Sequence, residues 1–147
     1  MSEAAKENNS PSQHTILLIE DDIFVKDLYE RTLKKRGYNV LVAEDGEEGL
    51  ALIEEKGTAI ELVLLDIMMP KKNGIEVLQK LAAEKYLSRI PVVLLTNLGQ
   101  ESIIKEAFKM GARGYMLKAR LLPQQVADRV DEFFRSGTFP TGDINFP

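Results

Sequence analysis

The chain has no cysteine and a single histidine in 147 residues. Without cysteine there is no disulfide, no thiolate metal site and no thiol nucleophile. The lone histidine, His14, borders a polar N-terminal segment and reads as structural, not catalytic. Residues 1–12 hold no apolar run that could act as a signal peptide. No stretch approaches the length of a membrane span, so a cytoplasmic protein without membrane insertion is expected. Positive charge is not in excess either: the net charge is −4 and the pI about 5.1. Nothing in that balance draws the chain directly to nucleic acid or to an anionic membrane.

What is present is an ordinary globular composition, 44% apolar and 29% charged, in a length that suits one domain. Residues 1–13 and 136–147 are poor in apolar periodicity and are expected to be a disordered N-terminal tail and a flexible C-terminal tail around a domain at 14–135. No output domain is expected beyond it, since the last residues are too short for a helix-turn-helix.

Within 14–135 the pattern alternates. Continuous apolar runs occur at residues 15–19, 62–65 and 91–95, the form of strands buried on both faces. Residues 38–43 and 114–117 complete five strands. Helical spacing appears at 23–36, 47–55, 75–86, 101–110 and from Pro123 to about residue 134. Phe24, Val25, Leu28, Tyr29, Thr32 and Leu33 recur at helical spacing in the first helix, Leu50, Ala51 and Ile53 are the apolar positions of the second, and Val77, Leu78, Leu81 and Ala82 face in from the third. Strands separated by helices imply a parallel sheet with right-handed crossovers and helices on both faces. The expected fold is an α/β, flavodoxin-like doubly wound (βα)5 sandwich with strand order 2-1-3-4-5.

Polar residues break the pattern only where strands end. Glu20 and Asp21 follow the first strand, Asp66 the third, Thr96 the fourth and Lys118 the fifth. Pro70 cannot donate to a ladder, so Asp66 stands at the carboxyl end of its strand, where ligands bind in open α/β sheets. Two carboxylates ~4 Å apart repel by about 4 kcal/mol at an effective dielectric near 20. Three converging carboxylates are therefore costly unless a cation beyond Lys118 offsets them or one of them is protonated. Magnesium takes oxygen ligands and completes its shell with phosphate. A carboxylate beside it can attack phosphorus and become an aspartyl phosphate. Asp22, next to a helix start, reads instead as a helix cap.

At these residues the chain resembles the receiver domain of two-component response regulators. Residues 16–22 look like its acidic-pair strand, 63–70 its phospho-acceptor motif, 91–96 the strand with the switch hydroxyl, and 111–118 the strand with the switch aromatic and lysine. The resemblance implies a stand-alone, chemotaxis-regulator-like response regulator, a signalling phospho-acceptor and not an enzyme acting on other substrates. Asp66 would take a phosphoryl group from a histidine kinase or histidine phosphotransfer protein in a phosphorelay. Glu20, Asp21, Asp66 and the backbone carbonyl of Met68 would hold Mg2+, with Mn2+ as the alternative. Thr96 and Lys118 would bind the phosphoryl oxygens. Thr96 would move inward and Tyr115 would shift to a buried rotamer, remodelling the helix 4–strand 5–helix 5 face for a downstream protein target. Met68 and Leu98 would flank the phosphoryl group and tune its lifetime. Where the family usually has proline after the lysine, in a cis peptide, this chain has Ala119; either a trans bond with an adjusted loop or a cis bond is expected.

Two other chemistries meet obstacles in the residues. A haloacid-dehalogenase-type phosphotransferase needs a second carboxylate two positions after Asp66, where Met68 stands. A flavodoxin-like flavin module needs a phosphate-binding loop after the first strand, where residues 20–22 are all acidic. A pseudo-receiver that binds without phosphorylation would not need the intact acid set.

Overall fold

A computed structural model describes residues 14–139. The two expected tails, apart from residues 136–139, lie outside the described residues. Five strands, β1 (Thr15–Ile19), β2 (Asn39–Ala43), β3 (Leu62–Leu65), β4 (Val92–Thr96) and β5 (Gly114–Leu117), alternate with α1 (Ile23–Lys35), α2 (Gly46–Lys56), α3 (Gly74–Ala83), α4 (Glu101–Met110) and α5 (Pro123–Ser136). All strand pairs are parallel and the order is 2-1-3-4-5, as the alternation requires.

The apolar runs are continuous because both sheet faces are covered. Ile16 to Ile19 and Leu62 to Leu65 are at most 1% exposed. Alternate residues feed two cores. Leu17, Ile19, Val63, Leu65 and Leu94 pack with α2, α3 and α4. Ile16, Leu18, Leu64, Leu95 and Met116 pack with α1 and α5.

Local chemistry starts the helices where the sequence marks them. The Asp22 carboxylate accepts from the Phe24 and Val25 amides and caps α1. Asp45 caps α2 in the same way, and Asn73 and Glu76 form a reciprocal capping box on α3.

Four expectations change. The third helix stops at Ala83, and a separate turn of 3-10 helix covers Tyr86–Ser88. Ala51 and Ala82 face solvent. The buried residues of α2 are Gly46, against Lys72 and Val77, Gly49, against Ile19 of the sheet, and Ile53. A Cβ on Gly49 would come within 2.4 Å of Ile19 Cδ1, so closeness of approach, and not an apolar side chain, sets that contact. On α1 only Tyr29 and Leu33 are buried, while Phe24 is 84% and Leu28 42% exposed. The stripe of apolar residues on α1 is wider than the strip the sheet and α5 can cover. Finally, the segment read as tail from residue 136 is not free along its whole length, because Phe139 is buried against β5 and Phe133.

His14, the first described residue, is held in place and is not a tail residue. Its ring stacks on Phe134 at 4.1 Å, and Nδ1 lies 2.9 Å from the Glu61 carboxylate. The position is at the amino end of β1, at the opposite end of the sheet from the acidic residues, which fits a structural role.

Candidate functional site

Strand register brings the candidate residues together. Ile19 pairs with Leu65, so the next residues, Glu20 and Asp66, emerge side by side on neighbouring strands. Leu65 pairs with Leu94 and Thr96 with Leu117, so Thr96 rises one step beyond Asp66 and Lys118 follows directly. Strands spaced ~4.8 Å apart thus deliver four functional groups to one basin without any long loop. The Asp66 amide donates to the Ile19 carbonyl at 3.1 Å, which fixes the turn out of β3.

The groups are desolvated. Glu20 is 1%, Asp66 6% and Thr96 0% exposed. Lys118 Nζ donates to the Glu20 carboxylate and, at 3.1 Å, to Asp66 Oδ2. One ammonium therefore bridges two buried carboxylates. Burial pushes the Glu20 carboxyl above its ordinary range, against the lowering effect of Lys118. Burial alone would pull Lys118 down, but its hydrogen bond to Glu20 and the charges of Asp66 and Glu20 hold it above the ordinary lysine range. Lys118 therefore remains an ammonium at neutral pH.

One cation does not balance this set. Carboxylate oxygens of Glu20, Asp21 and Asp66 lie within 4.8 Å of one another. Three oxygen donors with net negative charge, two buried and one (Asp21) open to solvent, fit a hard divalent cation that keeps water in its shell. Glu20, Asp21 and Asp66 would hold it. The Met68 amide donates to Asp66 Oδ1 at 3.3 Å, which keeps the loop carrying the Met68 carbonyl folded over the basin.

The loop is set by close packing. A Cβ on Gly74 would sit 2.5 Å from the Asp66 carbonyl oxygen and 2.7 Å from Ile67 Cα, so this position must be glycine for α3 to begin against the back of Asp66. The Lys118–Ala119 bond is trans, as are all peptide bonds among the described residues, and residues Lys118–Arg120 turn through one 3-10 helix.

Thr96 Oγ1 accepts from the Leu98 amide at 3.2 Å. Tyr115 is 8% exposed and its hydroxyl meets the Leu98 carbonyl at 3.4 Å. The aromatic ring thus already stands inward, joined through the Leu98 backbone to Thr96. Beside Asp66 lies an open groove of about 680 Å³ whose walls include Met68, Met69, Ile75, Leu98 and Ile103.

All the sequence candidates fall at or beside this basin. Sequence reasoning placed Tyr29 only as a core residue. Tyr29, on α1, is 4% exposed, and burial holds the pKa of its phenol above the ordinary range, with the charges of Lys118, Glu20 and Asp66 felt there as well. Helical spacing marks Tyr29 as inward-facing but carries no signal that it lies under the basin.

Comparison with known proteins identifies a family and relatives. The family described as response regulator receiver domain matches residues 16–130. The transcriptional regulatory protein CpxR of Klebsiella pneumoniae is 42% identical over 103 residues, which is 70% of this chain and 42% of that protein. The chain thus spans less than half the length of this relative. The chemotaxis protein CheY of Treponema pallidum is 32% identical over 114 residues, 77% of this chain and 76% of that one. Among solved structures, the CheX–CheY–BeF3–Mg complex from Borrelia burgdorferi superposes with a TM-score of 0.75 at 28% identity, covering 82% of this chain and 89% of that chain.

Proposed function

The chain belongs to the response regulator receiver family, and on that premise we propose that Asp66 is the acceptor of a phosphoryl group donated by a histidine kinase or histidine phosphotransfer protein. The observation that carries the reading is the lysine bridge: Lys118 spans Glu20 and Asp66 inside a basin of three carboxylates, with the buried Thr96 hydroxyl beside it. A surface acid cluster does not need a buried ammonium. A site that must receive three phosphoryl oxygens does.

The step is a displacement at phosphorus. An Asp66 carboxylate oxygen forms the new O–P bond as the N–P bond of phosphohistidine breaks, and the leaving imidazole nitrogen takes a proton from solvent. Lys118 turns from Asp66 to a phosphoryl oxygen, and Thr96 donates to another. Glu20, Asp21, Asp66 and the Met68 carbonyl would hold a divalent ion, which would supply further neutralisation of the transferring group. Contacts of Thr96 and Lys118 with the phosphoryl group then bias a two-state equilibrium that Tyr115 reads out on the α4–β5–α5 face. We take residues 14–135 as the receiver unit, with the cytoplasm as its compartment and a downstream protein as its target.

The test is intact mass after incubation with acetyl phosphate and with phosphorylated kinases. A magnesium-dependent gain of one phosphoryl group, absent in Asp66→Asn, is the expected result. No gain from any donor overturns the reading and leaves a binding-only receiver.

Lifetime is open to a separate test. Met68, 59% exposed, and the half-buried Leu98 border the groove beside Asp66 and offer attacking water no hydrogen bond. Leu98→Gln supplies an amide that orients water, so loss of phosphate is expected to be about tenfold faster or more. An unchanged decay of the phosphorylated mass would show that Leu98 does not limit hydrolysis.

A further inference from the structure

Charge is distributed unevenly across the sheet. Residues 14–61 carry twelve acidic and six basic side chains, and residues 62–139 carry eight acidic and twelve basic. Strands β2 and β5 are the two sheet edges. From residue 39 to 56 the β2 edge holds six acids against Lys56. From residue 105 to 120 the β5 edge holds Lys105, Lys109, Arg113 and Arg120 against Glu106, Lys118 being turned into the basin.

Pairing sharpens the contrast. Elsewhere Arg31 pairs with Asp27, Lys34 with Glu30, Arg36 with Asp128 and Asp131, and Lys80 with Glu84, while the exposed Lys35, Lys85 and Arg89 are scattered and carry no ion pair among the described residues. Around β5, Lys105 pairs with Glu101. Lys109, Arg113 and Arg120 are exposed and, among the described residues, have no ion-pair partner. They stand at the end of α4 and on either side of β5. Leu122, 58% exposed, follows Arg120, with Leu117 and Leu121 half-buried next to it.

We propose that the α4–β5 edge docks an acidic segment of the downstream protein, with carboxylates meeting Lys109, Arg113 and Arg120 and an apolar side chain seated on Leu122. This rests on the receiver reading for the identity of the face and adds the chemistry of what binds there. Unpaired cations on a rim steer an oppositely charged partner and reject like-charged ones. A protein segment fits better than nucleic acid. The cations are few and are accompanied by an exposed leucine, and the net charge of −4 opposes a polyphosphate.

The test uses the full chain and fluorescence anisotropy with three labelled probes: a short Asp/Glu peptide containing one leucine, the same peptide with Asn and Gln, and an oligothymidylate of equal charge. The acidic peptide is expected to bind, and to bind more weakly at physiological than at low ionic strength. Arg113→Glu with Arg120→Glu is expected to lower its affinity about tenfold or more, while Arg31→Glu on α1 leaves it unchanged. Equal binding of the amide peptide, indifference to the double reversal, or tighter binding of the oligothymidylate would each overturn the proposal. Measured on both beryllofluoride-loaded and unloaded protein, the result separates from the phospho-acceptor reading. Peptide binding without any mass gain at Asp66 defeats only that reading, and mass gain without peptide binding in either state defeats only this inference.

Discussion

Lys118→Met is expected to destabilise the protein by about 3 kcal/mol at pH 7 in the presence of a chelator. Methionine keeps most of the aliphatic stem but removes the ammonium that bridges Glu20 and Asp66. Those carboxylates are 1% and 6% exposed, and stripping one partner from a buried ion pair leaves an uncompensated charge. The loss should depend on pH, with a definite sign. Glu20 is already held above its ordinary range, chiefly by burial. Its protonated form is therefore favoured in the folded state, and its contribution is fully present below the ordinary carboxylate range and lost as pH rises through the folded value. Removing Lys118 takes away the main groups that lower Glu20, so that window moves upward and the variant should recover stability as the solution is made mildly acidic. Lys118 in the wild type has the same sign in a much higher pH window. Being held above the ordinary lysine range, its contribution persists through neutral pH and fades only in strong alkali. Urea unfolding across pH, with and without magnesium, checks all of this. Magnesium binds the folded carboxylates and should restore part of the loss by mass action. A variant as stable as wild type in chelator at pH 7 would mean that the carboxylates are not desolvated in solution.

The reason the site was legible in the sequence lies in the sheet. A parallel strand covered on both faces has no place for a polar side chain, so each apolar run announces where it stops. Glu20, Asp66, Thr96 and Lys118 are therefore visible as the first polar residues after four such runs. Their convergence follows once the strand order is 2-1-3-4-5. Helix faces were less legible. Counting apolar side chains selected Ile53 on α2, which is buried, and Ala51, which is not, and missed Gly46 and Gly49, because a glycine leaves no side chain to count and yet permits the closest approach. On α1 the same counting included Phe24 and Leu28, which the fold leaves outside. Apolar periodicity reports what a helix could bury, and the neighbouring elements decide how much of it is covered. The inward Tyr115 and the lysine bridge depend on rotamers, which no spacing encodes.

The segment after α5 was the least legible part of the described chain, and it carries the second large effect. Beyond Ser136 the sequence has a glycine, a threonine and a phenylalanine before Pro140, with no periodicity to mark it as packed. Gly137 adopts φ 83°, a left-handed conformation that ends the helix and turns the chain back. The Thr138 amide donates to Ser136 Oγ, which closes the turn. Phe139 then enters the core beside Phe133 and lies over Gly114, where a Cβ would come within 2.3 Å of its ring. The one sequence clue is thus a glycine at the start of β5, whose meaning appears only with the aromatic ring on top of it. Phe139→Ala is expected to cost about 3 kcal/mol, the usual range for deleting a buried aromatic side chain. Gly114→Ala should cost about 1–3 kcal/mol by overpacking, because the added methyl must push the ring aside. The two losses should not add. With the ring gone the methyl has room, so the double variant should be about as stable as Phe139→Ala alone. Urea midpoints of the four proteins decide it, and additive losses would mean that Phe139 does not sit on β5 in solution. Neither change touches Asp66, Glu20 or Lys118, so phosphorylation of the folded variants should be retained. The hook then serves to fix how the chain leaves α5 against the strand that bears Tyr115, separately from the chemistry at the other end of the sheet.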